Sequence, residues 1–133
     1  MREAPVKIII PDDLPPVISG TQALQTLQAH GHVTLYTSRP ETQDALVDRI
    51  QRAHTVVNIR ASCKFTAEVL ASCPDLKHVA VWGTGTDNVD LQAAKALQIT
   101  VTNTPNTATD AVAEHALSLM LASDRLRLIK RSI

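Results

Sequence analysis

Short apolar runs alternate along this chain with stretches of helical spacing. Val6 to Ile10, Val33 to Tyr36, Thr55 to Ile59, Val79 to Trp82 and Ile99 to Thr102 are continuous runs rich in β-branched residues. A strand with one wet face alternates apolar and polar positions, whereas a strand covered on both faces does not, so these runs predict a buried parallel sheet. Between them lie candidate crossover helices: Thr21 to His30 stopped by Gly31, Glu41 to Arg52, Thr66 to Ala71 stopped before Pro74, and Leu91 to Leu97. Thr66 is expected to cap its helix with Phe65 stapled on Leu70, and Asp90 to cap the next. A last helix is predicted over Thr107 to Arg125, with Thr107 and Asp110 at capping-box spacing. It carries Val112, Ala113, Ala116, Leu117, Leu119, Met120 and Leu121, so it is apolar around most of its circumference. Short right-handed crossovers between such units predict an α/β fold: a flavodoxin-like, doubly wound, parallel five-stranded sheet with helices on both faces.

Length and charge limit what this fold can do. A chain of 133 residues matches one domain, in which about two thirds of the unfolded surface is buried on folding. Lys+Arg 13 balances Asp+Glu 13, so no global field draws the chain to nucleic acid or membrane, and binding must come from a local site. No stretch reaches the length of a spanning helix or of a signal-peptide core, which predicts a cytoplasmic protein. Cys63 and Cys73 lack a Cys-x-x-Cys spacing and are expected as reduced thiols. His30, His32, His54 and His78 form no metal-ligand pattern, so no metal site is expected.

The stretch Val81 to Asp90, VWGTGTDNVD, runs from a strand through glycines toward a helix. A dinucleotide turn needs Gly-x-Gly-x-x-Gly and a carboxylate at the end of the following strand. Here the third position is Asn88, and the following strand ends in Thr102-Asn103-Thr104. The fingerprint fails. Gly83 and Gly85 remain either an anion-binding nest of backbone amides suited to a small carboxylate or a plain tight turn. Open α/β sheets bind ligands outside their carboxyl edge. There Pro11-Asp12-Asp13, Arg60-Ala61-Ser62-Cys63-Lys64, Gly83-Thr84-Gly85 and Asn103-Thr104-Pro105-Asn106 are expected to converge on one crevice. Arg60 could grip a carboxylate through its planar fork, or could be an ordinary solvated arginine.

Asn58-Ile59-Arg60, Pro74 to His78, Gly83 to Leu91, Asn103-Thr104-Pro105 and Ala111 to His115 together resemble the N-terminal part of D-2-hydroxyacid dehydrogenases, especially the phosphoglycerate dehydrogenase branch, over about residues 55 to 125. The resemblance implies a flavodoxin-like substrate-binding (catalytic) domain over residues 1–106. Residues 107–133 then form an interdomain linker helix, truncated before an NAD-binding Rossmann domain. It implies hydride transfer between NAD and a 2-hydroxy or 2-keto acid in the complete enzyme, with no cofactor expected on this chain alone. The substrate-binding residues it suggests are Arg60, Ala61, Ser62, Gly83, Thr84 and Gly85, and those on the cofactor side are Asn103, Thr107 and Glu114. The family's catalytic arginine, histidine and carboxylate lie beyond this segment, so no catalytic residue is assigned. Glu114 and His115 do not form a dyad, because neighbours at i and i+1 do not share a helix face. The chain alone is expected to be inactive, and its partners to be the small carboxylate, the cofactor domain and, through the Thr107 to Arg125 helix, a second copy. The competing class is a stand-alone, non-catalytic module that binds a carboxylate or another protein; a third is an enzyme completed in trans. Leu126 to Ile133 is a cut linker helix under the first and a closing element under the second. Two positions depart from the resembled pattern: Gln98 and Asn106 stand where glycine is usual, so each is expected in a left-handed conformation.

Overall fold

The computed structural model describes residues 4–131, with side chains through residue 123. Its elements are β1 (Lys7–Ile10), α1 (Gln22–His30), β2 (His32–Leu35), α2 (Gln43–Ile50), β3 (Thr55–Asn58), α3 (Ala67–Ala71), β4 (His78–Val81), α4 (Leu91–Ala96), β5 (Thr100–Thr102) and α5 (Thr109–Arg131). The strands form one parallel sheet in the order β2-β1-β3-β4-β5, the doubly wound order the apolar runs predict. β1 lies inside this order, pairing Ile8 with Val33 on one side and Ile9 with Val56 on the other. No helix among the described residues is long and apolar enough to cross a membrane.

Successive strand residues serve opposite faces. Ile9, Val56, Val79 and Val81 join Leu46 and Ile50 of α2, Val69 and Leu70 of α3 and Ala94 of α4 in one core cluster. Ile8, Ile10 and Val57 join Ile18 in a smaller cluster, against which Leu24 and Leu27 of α1 pack half-buried. Three helices therefore cover one face and α1 alone the other. Each fully buried Ile, Leu, Val or Phe contributes about 1.5–3 kcal/mol relative to exposure. The larger cluster thus carries most of the stabilisation.

Local chemistry sets the helix ends. The side chain of Thr66 accepts the amide of Val69, and that of Asp90 accepts the amide of Ala93, so both expected caps are formed. Phe65 and Leu70 are buried in the same cluster. α2 is shorter than its pattern suggests, because Thr42 rather than a residue before Glu41 caps it by accepting the amide of Ala45. The expected capping box at Thr107 and Asp110 is not formed: the Thr107 hydroxyl donates to the Thr104 carbonyl, and α5 begins at Thr109. Gly31 does stop α1, but its backbone is extended. Glycine is needed there because a Cβ would meet the Val6 carbonyl oxygen at 2.4 Å. The side chains of Leu126 to Ile133 lie outside the described residues.

Gln98 and Asn106 have φ of 58° and 64°, as their positions require. After α4 the Ile99 amide donates to the Ala94 carbonyl and the Gln98 amide to the Lys95 carbonyl, the paired bonds of a Schellman stop. A side chain in this conformation costs about 1 kcal/mol. Gln98→Gly is therefore expected to raise stability by roughly that amount, read as a higher urea midpoint with an unchanged slope.

Asp13 is fully buried in the β1–α1 connection. Its carboxylate accepts the amides of Val17, Ile18 and Ser19 and the Ser19 hydroxyl. Burial pushes this carboxyl up, but the bonds from Val17, Ser19 and Ile18 together outweigh it and hold it below its ordinary value. Between the folded and unfolded values the unfolded chain binds more protons, so this contribution is complete above the ordinary carboxylate range and is lost on acidification. Asp13→Asn is expected to cost about 1–3 kcal/mol at neutral pH, with the gap to the native protein closing as pH falls through that range. Urea midpoints at neutral and acid pH measure this; a gap independent of pH would contradict it.

Candidate functional site

The carboxyl ends of the strands carry the polar loops, which hydrogen bonds tie together in pairs. Between the exits of β1 and β3, the Ser62 hydroxyl donates to Asp12 Oδ2 at 3.1 Å, and Arg39 Nε lies 3.6 Å from the same oxygen. Between the exits of β3 and β4, Asn88 Nδ2 donates to the Cys63 carbonyl at 2.8 Å, and the Phe65 amide donates to the Asn88 carbonyl at 2.8 Å. Between the exits of β4 and β5, the Gly83 amide donates to Thr104 Oγ1 at 2.9 Å and Asn103 Nδ2 to the Thr84 carbonyl at 2.7 Å.

A cavity of about 400 Å3 opens between the β3 and β4 exits. Ala61 and Lys64 line it from the first loop, Gly83, Gly85 and Asp87 from the second, and Asn58 and Trp82 from the strand ends. Lys64 and Asp87 are exposed, while Asn58 is 2% exposed and its Oδ1 has no hydrogen-bond partner among the described residues. An apolar groove of about 430 Å3 lies on the face that α1 covers alone, between Ala23 and Leu27 of α1 and Val57 and Ala80 of the sheet. It lacks the convergent polar groups that orient a small acid.

The structure brings together only part of the expected crevice. Ala61, Gly83 and Gly85 line the cavity. Arg60 does not: its guanidinium donates to the Pro15 carbonyl, presented by the loop that Asp13 organises. Its Nε is buried without a partner among the described residues. Ser62 turns away to Asp12, and the Thr84 carbonyl is taken by Asn103. The amide nest is also incomplete, because Gly83, at φ 148°, gives its N–H to Thr104. The residue-by-residue reading placed Lys64 in the crevice but gave it no role, and missed Asn58, Asp87 and Trp82. Asn58 carried no signal, since β3 reads as an apolar run.

Asn88 occupies the place of a third glycine and is itself buried and bonded to Cys63. With the Gly83 amide also engaged, this turn does not form a pyrophosphate cradle. Asn103, Thr107 and Glu114 are exposed at and beyond the β5 exit. Cys63 and Cys73 are buried free thiols. Burial pushes both up to about 11, with Asp12 adding to the effect at Cys63, so both are protonated at neutral pH. His54 Nδ1 accepts the Lys7 amide, and His78 Nε2 bonds Thr102 Oγ1, so both support strand edges.

Residues 13–128 match the family described as D-isomer specific 2-hydroxyacid dehydrogenase, catalytic domain. D-3-phosphoglycerate dehydrogenase of Methanocaldococcus jannaschii is 33% identical over 120 residues, which cover 90% of this chain and 21% of that protein. The enzyme of the same name from Mycobacterium bovis is 42% identical over 83 residues, covering 62% of this chain and 16% of that protein. The chain thus spans about a fifth or less of the length of these relatives. An NAD+-bound 3-phosphoglycerate dehydrogenase structure from Entamoeba histolytica superposes with a TM-score of 0.74 at 24% identity, covering 88% of this chain and 38% of that one, which shows the shared fold. The sheet order and the matched residues together establish that this chain belongs to the D-isomer specific 2-hydroxyacid dehydrogenase family and carries its catalytic-domain fold.

Proposed function

We propose that this chain forms the part of an NAD-dependent D-2-hydroxyacid dehydrogenase that receives the 2-hydroxy or 2-keto carboxylate, and that it holds this acid between the β3 and β4 exits. The observation that carries the reading is the cavity itself: in a member of this family, it brings Lys64 and the Gly83 to Gly85 turn together at the carboxyl edge of the sheet. Lys64 supplies the cation. Among the described residues, the amides of Thr84 and Gly85 donate to no protein acceptor, which leaves them for carboxylate oxygens. Bound NAD would exchange a hydride with the carbon bearing the hydroxyl or keto oxygen; the residues of this chain bind and orient the acid for that exchange. The chain alone is proposed to be inactive, because its glycine turn forms no dinucleotide cradle.

α5 fits a divided enzyme. Val112, Leu117, Leu119, Met120 and Leu121 are 56–67% exposed on it. In the complete enzyme we assign this surface to the cofactor domain; on the chain alone it is left to a second copy. Reburial is worth about 25 cal/mol per Å2 of apolar surface, enough for several such side chains to drive association.

Titration of the isotope-labelled chain with D-lactate is expected to shift the Thr84 and Gly85 amide resonances. Lys64→Ala should weaken this about fivefold, as for an exposed charge pair worth roughly 1 kcal/mol. Unmoved Thr84 and Gly85 signals at saturating acid would overturn the reading. For α5, light scattering across a concentration series is expected to show dimers that Leu117→Glu returns to monomers. A mass that stays at one chain up to high concentration would remove the self-association.

A further inference from the structure

We infer that the acid this chain receives carries a bulky, uncharged apolar side chain, which lies across Trp82 in the groove beside α1 while the carboxylate occupies the cavity between the β3 and β4 exits. This rests on the substrate-binding reading of that cavity and adds the class of acid. Val81 and Trp82 line both spaces, so the polar cavity and the apolar groove adjoin at the end of β4. The Trp82 amide donates to the Asn58 carbonyl at 2.9 Å, and the next amide, that of Gly83, donates to Thr104 Oγ1 at 2.9 Å. The backbone that carries the indole is thus tied to the end of β3 and to the loop after β5. Trp82 is nonetheless 45% exposed, whereas the chain's other two aromatic rings are engaged, Phe65 in the core and Tyr36 beneath Arg49. An indole held at the junction of the two spaces and left open to water offers apolar surface to a ligand that spans them.

The two linings divide the work. Lys64 is the one cation that lines the cavity, and it suffices for a single carboxylate. No residue lining the groove carries a charge, and Leu27, Val57 and Ala80 line it with hydrocarbon. An apolar side chain that leaves the cavity over Trp82 is therefore removed from water onto apolar surface. A methyl group beside the reacting carbon gains little of that surface. A phosphate fits neither space: in the groove it gives up hydration and meets no cation, and in the cavity it competes with the carboxylate for Lys64 and faces Asp87.

The 133-residue chain, isotope-labelled at amides and methyl groups, is titrated with D-phenyllactate, D-lactate and 3-phospho-D-glycerate. D-Phenyllactate is expected to bind about tenfold tighter than D-lactate, the effect of partly burying one apolar side chain, and to shift the Leu27 and Ala80 methyl signals together with the Thr84 and Gly85 amides. D-Lactate should shift the amides alone, and 3-phospho-D-glycerate should bind more weakly than D-phenyllactate. Ala23→Glu adds a carboxylate to the groove lining in the first turn of α1, where negative charge suits the helix. It should bring the phenyllactate-to-lactate ratio to about one, and Trp82→Ala should lower that ratio about threefold. Equal binding of phenyllactate and lactate by the native chain, tighter binding of the phosphorylated acid, or unmoved Leu27 and Ala80 signals with phenyllactate bound overturn the inference while leaving carboxylate binding intact. The same holds if Ala23→Glu folds but keeps the preference, or if the Leu27 and Ala80 signals follow chain concentration instead of acid, since a second copy then fills the groove. If none of the three acids moves the Thr84 and Gly85 amides, the substrate-binding reading itself falls and this inference with it. The native-chain ranking decides the matter even if neither variant folds.

Discussion

Asn88 joins the two halves of the site. Its side-chain amide holds the Cys63 carbonyl and its own carbonyl holds the Phe65 amide, while the Asp90 amide returns to the Phe65 carbonyl. Phe65 and Val89 consequently pair as a short parallel step beyond the sheet. Asn88 is 7% exposed and Phe65 fully buried, so these bonds are shielded from water and are costly to leave unmade. Because Phe65 is rooted in the larger core cluster, the distance between the β3 and β4 exits is set by the packing of the domain rather than by loop preference. A glycine at this position would suit a dinucleotide turn. The asparagine instead builds a latch, and the latch gives the cavity its fixed walls.

The two faces of the sheet are unequal, and the inequality follows from chain order. The path from β1 to β2 runs one way across the sheet, and every later crossover runs the other way, so right-handed connections place α1 on one face and α2, α3 and α4 on the other. The strand ends near α1 therefore remain open as an apolar groove beside Val57 and Ala80. The cavity proposed for the acid lies instead where two exit loops meet, and Trp82 borders both spaces. A polar cavity and an apolar groove thus occur side by side at one edge of the sheet.

The fold was legible wherever a single local rule governed. Continuous apolar runs located the strands, because burial on both faces leaves no room for alternation. Thr66 and Asp90 could be read as caps, since a cap depends only on the next few residues. Gln98 and Asn106 were placed in the left-handed region by the resemblance together with a known backbone demand. The site was legible less far. Nothing in Arg60 or Ser62 indicates that Pro15 and Asp12, some 45 and 50 residues away, hold them out of the cavity. The Gly83 to Gly85 turn looked like a nest because glycine permits one; whether the Gly83 amide is free depends on Thr104, which comes from the loop after β5. Asn58 was invisible for the opposite reason. Its placement within an apolar strand hides that its side chain borders a cavity, which only the pairing of β3 with β4 creates.

The buried ionisable groups are committed to the fold rather than to chemistry. Cys63 and Cys73 are held as neutral thiols by burial and so are poor nucleophiles. Asp13 is held ionised by amides of its own loop and has its oxygens occupied, so it cannot serve as a base. Each of these groups is committed to the stability of the domain, and none lines the cavity. What does line it, the Lys64 cation, the Asp87 carboxylate and a turn with unengaged amides, suits the proposed recognition of an acid. When a hydride leaves or reaches the carbon, a proton must leave or reach its oxygen, so the proposed reaction also needs a proton acceptor or donor beside that oxygen. In the divided enzyme proposed above, the exposed apolar face of α5 is the surface we assign to the element that supplies this group.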